Sequence, residues 1–405
     1  MINIVVSLPC TAYQYSTFYW QFRVSGRRNQ HRAANLHHIK QSFCTESINL
    51  PAFSPAPILP RKTLCPVESA GEDVFLLDGI LSPGFINAHC HIELSHFKGL
   101  IPRHTGLVDF VQQVMTRRGE KMQAEKAAAM YAAAEELYDS GTVAVGDICN
   151  TTDSIELKAE SPIYWQNFIE VSGFVDATAP ARLAATQEVF DAFPGLNKSL
   201  VPHAPYSVSE TLFKLINDRT AGKLISIHNQ EAAAENELYL TKSGAFLELY
   251  ENFGIDIGSF RAPGTSSLKA WRPYFTKDQR IISVHNSFTT PSEMQWATNL
   301  HYCLCINANL YIENRLPPIR ELIENECSIV LGTDSYASND QLNMMAEINS
   351  IQQHYPEIPV PKILQWATLN GARALGIEDR FGSFEKGRKP GLVLIKNGSA
   401  KRVSV

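Results

Sequence analysis

The chain has 405 residues, is 44% hydrophobic and carries a formal charge of −5. That balance suits a globular protein with a large core and argues against nucleic acid or a membrane surface as partner. No run approaches the roughly 18 consecutive apolar residues a spanning helix needs. The cysteines at 10, 44, 65, 90, 149, 303, 305 and 327 lack the dense spacing of a disulfide scaffold, which points to a reducing cytoplasm.

Residues 1–55 read unlike the remainder. No acidic residue precedes Glu46, whereas Arg23, Arg27, Arg28, Arg32 and Lys40 are basic. His31, His37 and His38 lie here in an aperiodic context and read as non-ligands. The stretch reads as an atypical, poorly ordered or mis-assigned start; an Arg-bearing, acid-free leader is the other reading. Its opening, 2–6, has strand character. Between 56 and 82 short apolar runs such as Val74–Asp78 are broken by Pro and Gly, again a β pattern.

From Pro83 onward strand-like runs alternate with helical segments, the signature of parallel α/β architecture. After the run ending near residue 91, the strand candidates are Thr142–Asp147, Ile163–Val171, Ser199–Pro202, Leu224–His228, Ile281–His285, Tyr302–Ile306 and Ser328–Asp334. Helices are expected at Glu120–Ser140, Ser209–Ala221 and Ile363–Leu375. Eight β/α units predict an α/β fold of the (β/α)₈ TIM-barrel type over 83–375, with chemistry at the carboxyl ends of the strands. A last strand, Gly391–Lys396, is expected to join the 56–82 region. Segments 56–82 and 376–405 would then form a small β domain, one that is incomplete if residues 1–55 add nothing to it.

The stretch Leu81-Ser-Pro-Gly-Phe-Ile-Asn-Ala-His89-Cys90-His91 carries the first functional signal. In an extended strand, residues two apart share a face. His89 and His91 therefore aim together, Cys90 aims away, and two converging imidazoles make half of a divalent-metal site. Further on, His203 ends the fourth strand and His228 the fifth, with Glu231 three residues later. His285 ends the sixth strand and Asp334 the eighth. Singly, each suits a core histidine or a helix-capping carboxylate. Together, at the ends of different strands of one barrel, they are hard to attribute to capping.

These motifs resemble the amidohydrolase superfamily. Pro-Gly-Phe-Ile-Asn-Ala-His-Cys-His at 83–91, His-Ala-Pro-Tyr-Ser-Val-Ser at 203–209, His228 with Glu231, and Gly-Thr-Asp at 332–334 are similar to its aminohydrolase branch. That branch includes cytosine, guanine, S-adenosylhomocysteine and aminodeoxyfutalosine deaminases and the triazine hydrolases. The wording His91-Ile-Glu93-Leu-Ser95 leans toward aminodeoxyfutalosine deaminases. The tail from Ala367 to Gly391 resembles the superfamily's last helix and return strand.

The resemblance implies a metal-dependent hydrolytic deaminase that acts on an amino-substituted nucleobase-like ring and releases ammonia. Its alternative is a hydrolase of a cyclic amide or a halogenated or amino triazine; a barrel that merely binds a ligand is a third class. It implies metal ligands His89, His91, His228 and Asp334. No lysine stands at the end of the fourth strand to bridge two ions, so one ion is expected. Zn²⁺ suits this donor set, and Fe²⁺ accepts the same ligands. Glu231 would be the acid/base, with His285 and Asp334 handling the proton of the attacking water. His203, Glu93 and Asn309 would contact a small-molecule substrate. Asp147 reads as structural, His96 and His104 as loop histidines, and 245–275 as a lid or selecting loop. A homodimer is compatible with all of this. The seventh-strand motif departs from the family in carrying Ile306 where proline is usual.

Overall fold

The computed structural model describes residues 3–7, 22–24, 39–41, 74–195, 197–297 and 299–403. The readings for His31, His37 and His38 and for most of 1–55 lie outside these residues.

Eight parallel strands lead from Phe85 to Leu331. They are β1 (Phe85–Cys90), β2 (Thr142–Cys149), β3 (Tyr164–Val171) and β4 (Lys198–Pro202). Then come β5 (Ile225–Asn229), β6 (Ile281–His285), β7 (Leu300–Leu304) and β8 (Ser328–Leu331). Nearly every residue in them is buried, which is why they read as continuous apolar runs rather than alternating ones. Helices fill the intervals, as a right-handed parallel crossover requires.

The strands pair as two four-stranded sheets, β1-β2-β3-β4 and β5-β6-β7-β8. Where a single closed ring was expected, the seams carry only isolated contacts. At one, the His228 N–H donates to the His203 carbonyl at 2.9 Å. At the other, Cys90 bridges Asp334, and the Thr333 N–H donates to the His89 carbonyl at 3.0 Å. Pairing thins here for local reasons. Pro202 has no N–H to give, and Asp334 leaves extended geometry with φ +58°. Both seams meet at the strand ends that carry the histidines.

The helix Gln123–Asp139 buries Met130, Ala133, Ala134 and Leu137 along one face. Cys90 packs into that cluster with Ile92 and Val145, on the side of β1 away from the two histidines. Helix Glu210–Thr220 is capped by the Ser209 hydroxyl, which accepts from the Leu212 N–H at 3.3 Å. The helix expected at Ile363–Leu375 runs in three pieces, Val360–Gln365, a π-helical turn Trp366–Asn370, and Gly371–Leu375. A Cβ on Gly371 would fall 2.8 Å from the Ile86 Cβ, so only glycine lets this helix lie against β1.

Outside the parallel sheets, Val393–Lys396 pairs antiparallel with Ile80–Ser82 on one side and with Ser399–Arg402 on the other. Asn3–Ser7 pairs in parallel with Val74–Asp78. A short ladder joins Phe22–Val24 to Ile39–Gln41. Three of these strands, Phe22–Val24, Ile39–Gln41 and Ser399–Arg402, were not legible as strands; each has only 3 or 4 residues.

Candidate active site

His89, His91, His228 and Asp334 converge in a buried cluster at the two seams. His89 Nε2 lies 3.1 Å from His91 Nε2, and His91 Nε2 lies 3.2 Å from His228 Nε2. Asp334 Oδ1 lies 3.4 Å from His89 Nε2 and 3.3 Å from His91 Nε2. Zn–N bonds of about 2.0–2.1 Å set tetrahedral donors about 3.3–3.4 Å apart. The residues present therefore fit a four-coordinate divalent ion.

Electrostatics agree with that donor set. Burial brings His91 down to about 3 and His228 well below its ordinary value, so both imidazoles are neutral. The His228 Nδ1–H donates to the His203 carbonyl at 2.9 Å, leaving Nε2 bare toward the cluster. Burial alone would raise the Asp334 carboxyl. The hydrogen bond with His89 and the nearby His91 and His285 rings instead hold it well below the carboxylate range. The Ser338 hydroxyl donates to its other oxygen.

Backbone strain gathers at the same place. Gln230, His285, Asn286 and Asp334 all have positive φ, at the ends of β5, β6 and β8. Each such non-glycine conformation costs about 1–3 kcal/mol and persists where the surroundings over-determine it. Gly332 shows one reason for the crowding. A Cβ there would meet Cys303 Sγ, His89 Cβ and the His89 carbonyl oxygen, each at 2.9 Å.

Glu231 and His285 face each other beside the cluster, with Glu231 Oε2 3.5 Å from His285 Nε2. Burial, reinforced by the Asp334 charge, pushes the Glu231 carboxyl well above its usual value. Burial also brings His285 down to about 4. Burial thus favours the protonated form of the acid and the neutral form of the imidazole. Asn309 stands behind His285 on the helix Ile306–Ile312. Its amide donates to Ser287 Oγ at 3.1 Å, so its Oδ1 accepts the His285 Nδ1–H at 2.7 Å. The histidine thus presents a bare Nε2.

The other sequence-selected residues take distinct places. Glu93 accepts from the backbone N–H groups of Asn150 and Thr151 at 3.0 and 3.1 Å, anchoring the loop after β2. Burial raises its carboxyl to about 7. Asp147 accepts from the Ile92 N–H at 2.8 Å and pairs with Lys158 at 2.6 Å. His96 Nδ1 meets the Glu93 carbonyl at 3.1 Å, and His104 is exposed. His203 lies over the cluster, its ring centroid 4.9 Å from that of His228.

Segment 245–275 contributes Phe246–Asn252 to an aromatic wall beside His203, whereas Trp271 of Ser267–Trp271 lies in the core and donates to Asn229 Oδ1 at 2.8 Å. Phe246 stacks on Tyr206 at 4.3 Å between centroids, and Tyr250 on Phe174 at 5.0 Å. The Tyr239 hydroxyl donates to the Pro205 carbonyl at 2.8 Å.

One residue escaped the sequence reading. Glu170, near the end of β3, has a carboxylate oxygen within 4.8 Å of both His203 and His228 ring nitrogens. Its signal was present: a lone charge inside the buried run Phe168-Ile169-Glu170-Val171.

Parallel strands whose carboxyl ends carry three imidazoles, a carboxylate and a facing acid define a metal-dependent hydrolase. The match to the Amidohydrolase family model spans residues 80–404, and the chain belongs to that family. It is 25% identical over 354 residues to a 5′-deoxyadenosine deaminase of Methanococcus maripaludis, covering 81% of this chain and 78% of that protein. It is 25% identical over 314 residues to an aminodeoxyfutalosine deaminase of Nitratiruptor, covering 74% and 75%. Among solved structures, Helicobacter pylori aminofutalosine deaminase with methylthio-coformycin superposes with TM-score 0.66 at 24% identity, covering 79% and 80%. The atrazine chlorohydrolase TrzN of Arthrobacter aurescens shares the fold with TM-score 0.61 at 16% identity, covering 78% and 76%. The enzyme class that follows is a hydrolase of carbon–nitrogen bonds other than peptide bonds.

Proposed function

We propose that the chain is a metal-dependent aminohydrolase that replaces the exocyclic amino group of an adenine-like ring with oxygen and releases ammonia. The observation that carries this reading is the buried pair of Glu231 and His285, 3.5 Å apart beside the His₃Asp cluster. The ligands would be His89, His91, His228 and Asp334, holding one ion, Zn²⁺ or Fe²⁺. Such an ion supplies Lewis-acid activation of water near neutral pH.

The chain's own groups do the rest. His285 and Asp334 orient the attacking water and take its proton; the bare His285 Nε2 is the acceptor. Ring carbons of this kind resist attack until the adjacent ring nitrogen is protonated, and Glu231 holds the proton for it. The protonated His285 then gives the water proton to the departing amine, and the Glu231 carboxylate recovers a proton from the added hydroxyl as the ring oxo group forms. His203 would contact the substrate. Glu93 and Asn309 would act there chiefly by placing the loop after β2 and the His285 ring.

We assign the two parallel sheets as halves of one (β/α)₈ barrel over 83–375, and the strands around 80–82 and 393–402 as its small β companion. Cys90, Cys149, Cys303, Cys305 and Cys327 are free thiols, which supports a reducing compartment such as the cytoplasm. No helix among the described residues is long and apolar enough to cross a membrane. The triazine reading is weaker, resting on structural likeness at 16% identity, whereas the similar sequences are named deaminases. Ammonia release over a panel of adenine nucleosides, free bases and triazines tests the proposal; turnover of triazines alone would refute it.

A further inference from the structure

We propose that Glu347 is a positioning residue: one buried carboxyl group ties the loop around Asp334 to the helix carrying Asn309, and so holds metal ligand and proton acceptor in register. The inference deepens the aminohydrolase reading above and rests on it for the roles of Asp334 and His285.

Glu347 lies in the first turn of the helix Met344–His354 and is fully buried. A carboxyl group in such a place costs free energy unless its oxygens are hydrogen-bonded. Here both oxygens meet N–H donors, and the donors come from two segments. Oε2 accepts the Asn307 backbone N–H at 3.0 Å, and Oε1 accepts the Asn307 side-chain amide at 2.9 Å. Oε1 also accepts the Asn339 amide at 3.0 Å. One turn further along the same helix, the Ser350 hydroxyl donates to Asn307 Oδ1 at 2.6 Å.

Each segment leads to a group that the chemistry uses. Asn307 stands in the first turn of the helix Ile306–Ile312, where backbone N–H groups have no partner within the helix. Two residues on, Asn309 Oδ1 accepts from His285 Nδ1 at 2.7 Å. On the other side, the Asn339 amide also donates to the Thr333 carbonyl at 2.9 Å, and the neighbouring Ser338 hydroxyl donates to Asp334 Oδ2. The chain from 333 to 339 thus folds back around Asp334, and Glu347 holds it from behind. Asp334 has φ +58° there, a conformation that its surroundings must maintain. Among the described residues, the hydrogen bonds of the Glu347 side chain go to Asn307 and Asn339, so it acts through them.

Glu347→Gln keeps the side-chain volume and spoils the pairing. Whichever way the glutamine amide turns, its NH₂ group faces an N–H donor.

The test compares wild type with Glu347→Gln, Asn339→Ala and Asn307→Ala, each well below its melting temperature. Zn²⁺ affinity is read by competition with a chromophoric chelator. Ammonia release at saturating zinc is resolved into kcat and KM. Groups that orient a metal ligand typically contribute 10–100-fold to affinity or activity. Zn²⁺ affinity should fall by about that factor in Glu347→Gln and Asn339→Ala, and hold in Asn307→Ala. In Glu347→Gln and Asn307→Ala, kcat should fall about 10-fold or more with KM near wild type. Unchanged zinc affinity and kcat in Glu347→Gln, with only its melting temperature lowered, would make Glu347 a packing residue and overturn the proposal. Should Glu347→Gln fail to fold, the other two variants decide: zinc loss confined to Asn339→Ala supports the proposal, and loss in both or in neither overturns it. If wild type releases no ammonia, the deaminase reading falls, and the zinc series alone upholds or overturns the role of Glu347.

Discussion

Glu231 Oε2 lies 3.5 Å from His285 Nε2, and the same burial drives the two groups in opposite directions, toward the protonated acid and toward the bare imidazole. That opposition sets a proton donor and a proton acceptor side by side.

Glu231→Gln preserves shape and removes the transferable proton. General acid–base catalysis contributes typically 10²–10⁴-fold, so kcat should fall by about that factor. Metal content and melting temperature should stay near wild type. Normal turnover with lowered melting would make Glu231 a structural residue.

His228→Ala and Asp334→Asn each remove a group from the tetrahedral donor set. Metal content and activity should drop together in both, and wild type should hold one ion per chain. Elemental analysis giving two ions, or full activity in the metal-free variant, would contradict the assignment.

The buried ion pair of Lys158 with Asp147 makes a stability prediction. Both side chains are almost wholly enclosed, and Asp147 also fixes the Ile92 N–H next to His91. Lys158→Met leaves a buried charge unpaired and should cost about 3–5 kcal/mol. Replacing Asp147 by Leu as well should recover much of that loss. Denaturant titration of the single and double variants decides; equal stability of Lys158→Met and wild type refutes the claim.

The metal-free protein should be most stable over a window of mildly acid pH. His91, His285 and His301 lie below their usual 6.5, at about 3, 4 and 4. The unfolded chain binds those protons first as pH falls below 6.5, so these groups lower stability toward acid. Glu93, Glu235 and Glu347 are raised from 4.5 to about 7, 7 and 8, chiefly by burial. There the folded chain holds the extra protons, so stability declines as pH rises from 4.5 through 8. The two trends oppose each other between 4.5 and 6.5, and melting temperature should peak there and fall on both sides. A steady rise from pH 5 to 8 would show that the buried carboxyls are ionised in the fold.

Much of this architecture was open to reading from residue order. The eight buried strands announce themselves as apolar runs, and His89 with His91 share a face by the period of an extended chain. His203, His228, His285 and Asp334 each stand where a strand gives out. Those are local facts, and local physics suffices for them. Strand ends were legible less well. The seventh stops at Leu304 and the eighth at Leu331, because the chain there turns to place Asn309 behind His285 and to bend Asp334 toward His89.

Only the tertiary structure could decide what each polar group faces. Glu93 and Glu170 are both carboxylates in apolar surroundings, yet one is spent on backbone N–H groups and the other keeps an oxygen with no hydrogen-bond partner among the described residues. Asn309 sits 24 residues from His285 in the chain but fixes its tautomer. The opposed protonation of Glu231 and His285 likewise comes from burial and from neighbours on other strands. Residue order determines which chemical groups the chain possesses and which strand presents them. Direction, partner and charge state depend on groups distant in sequence, and folding alone brings those together.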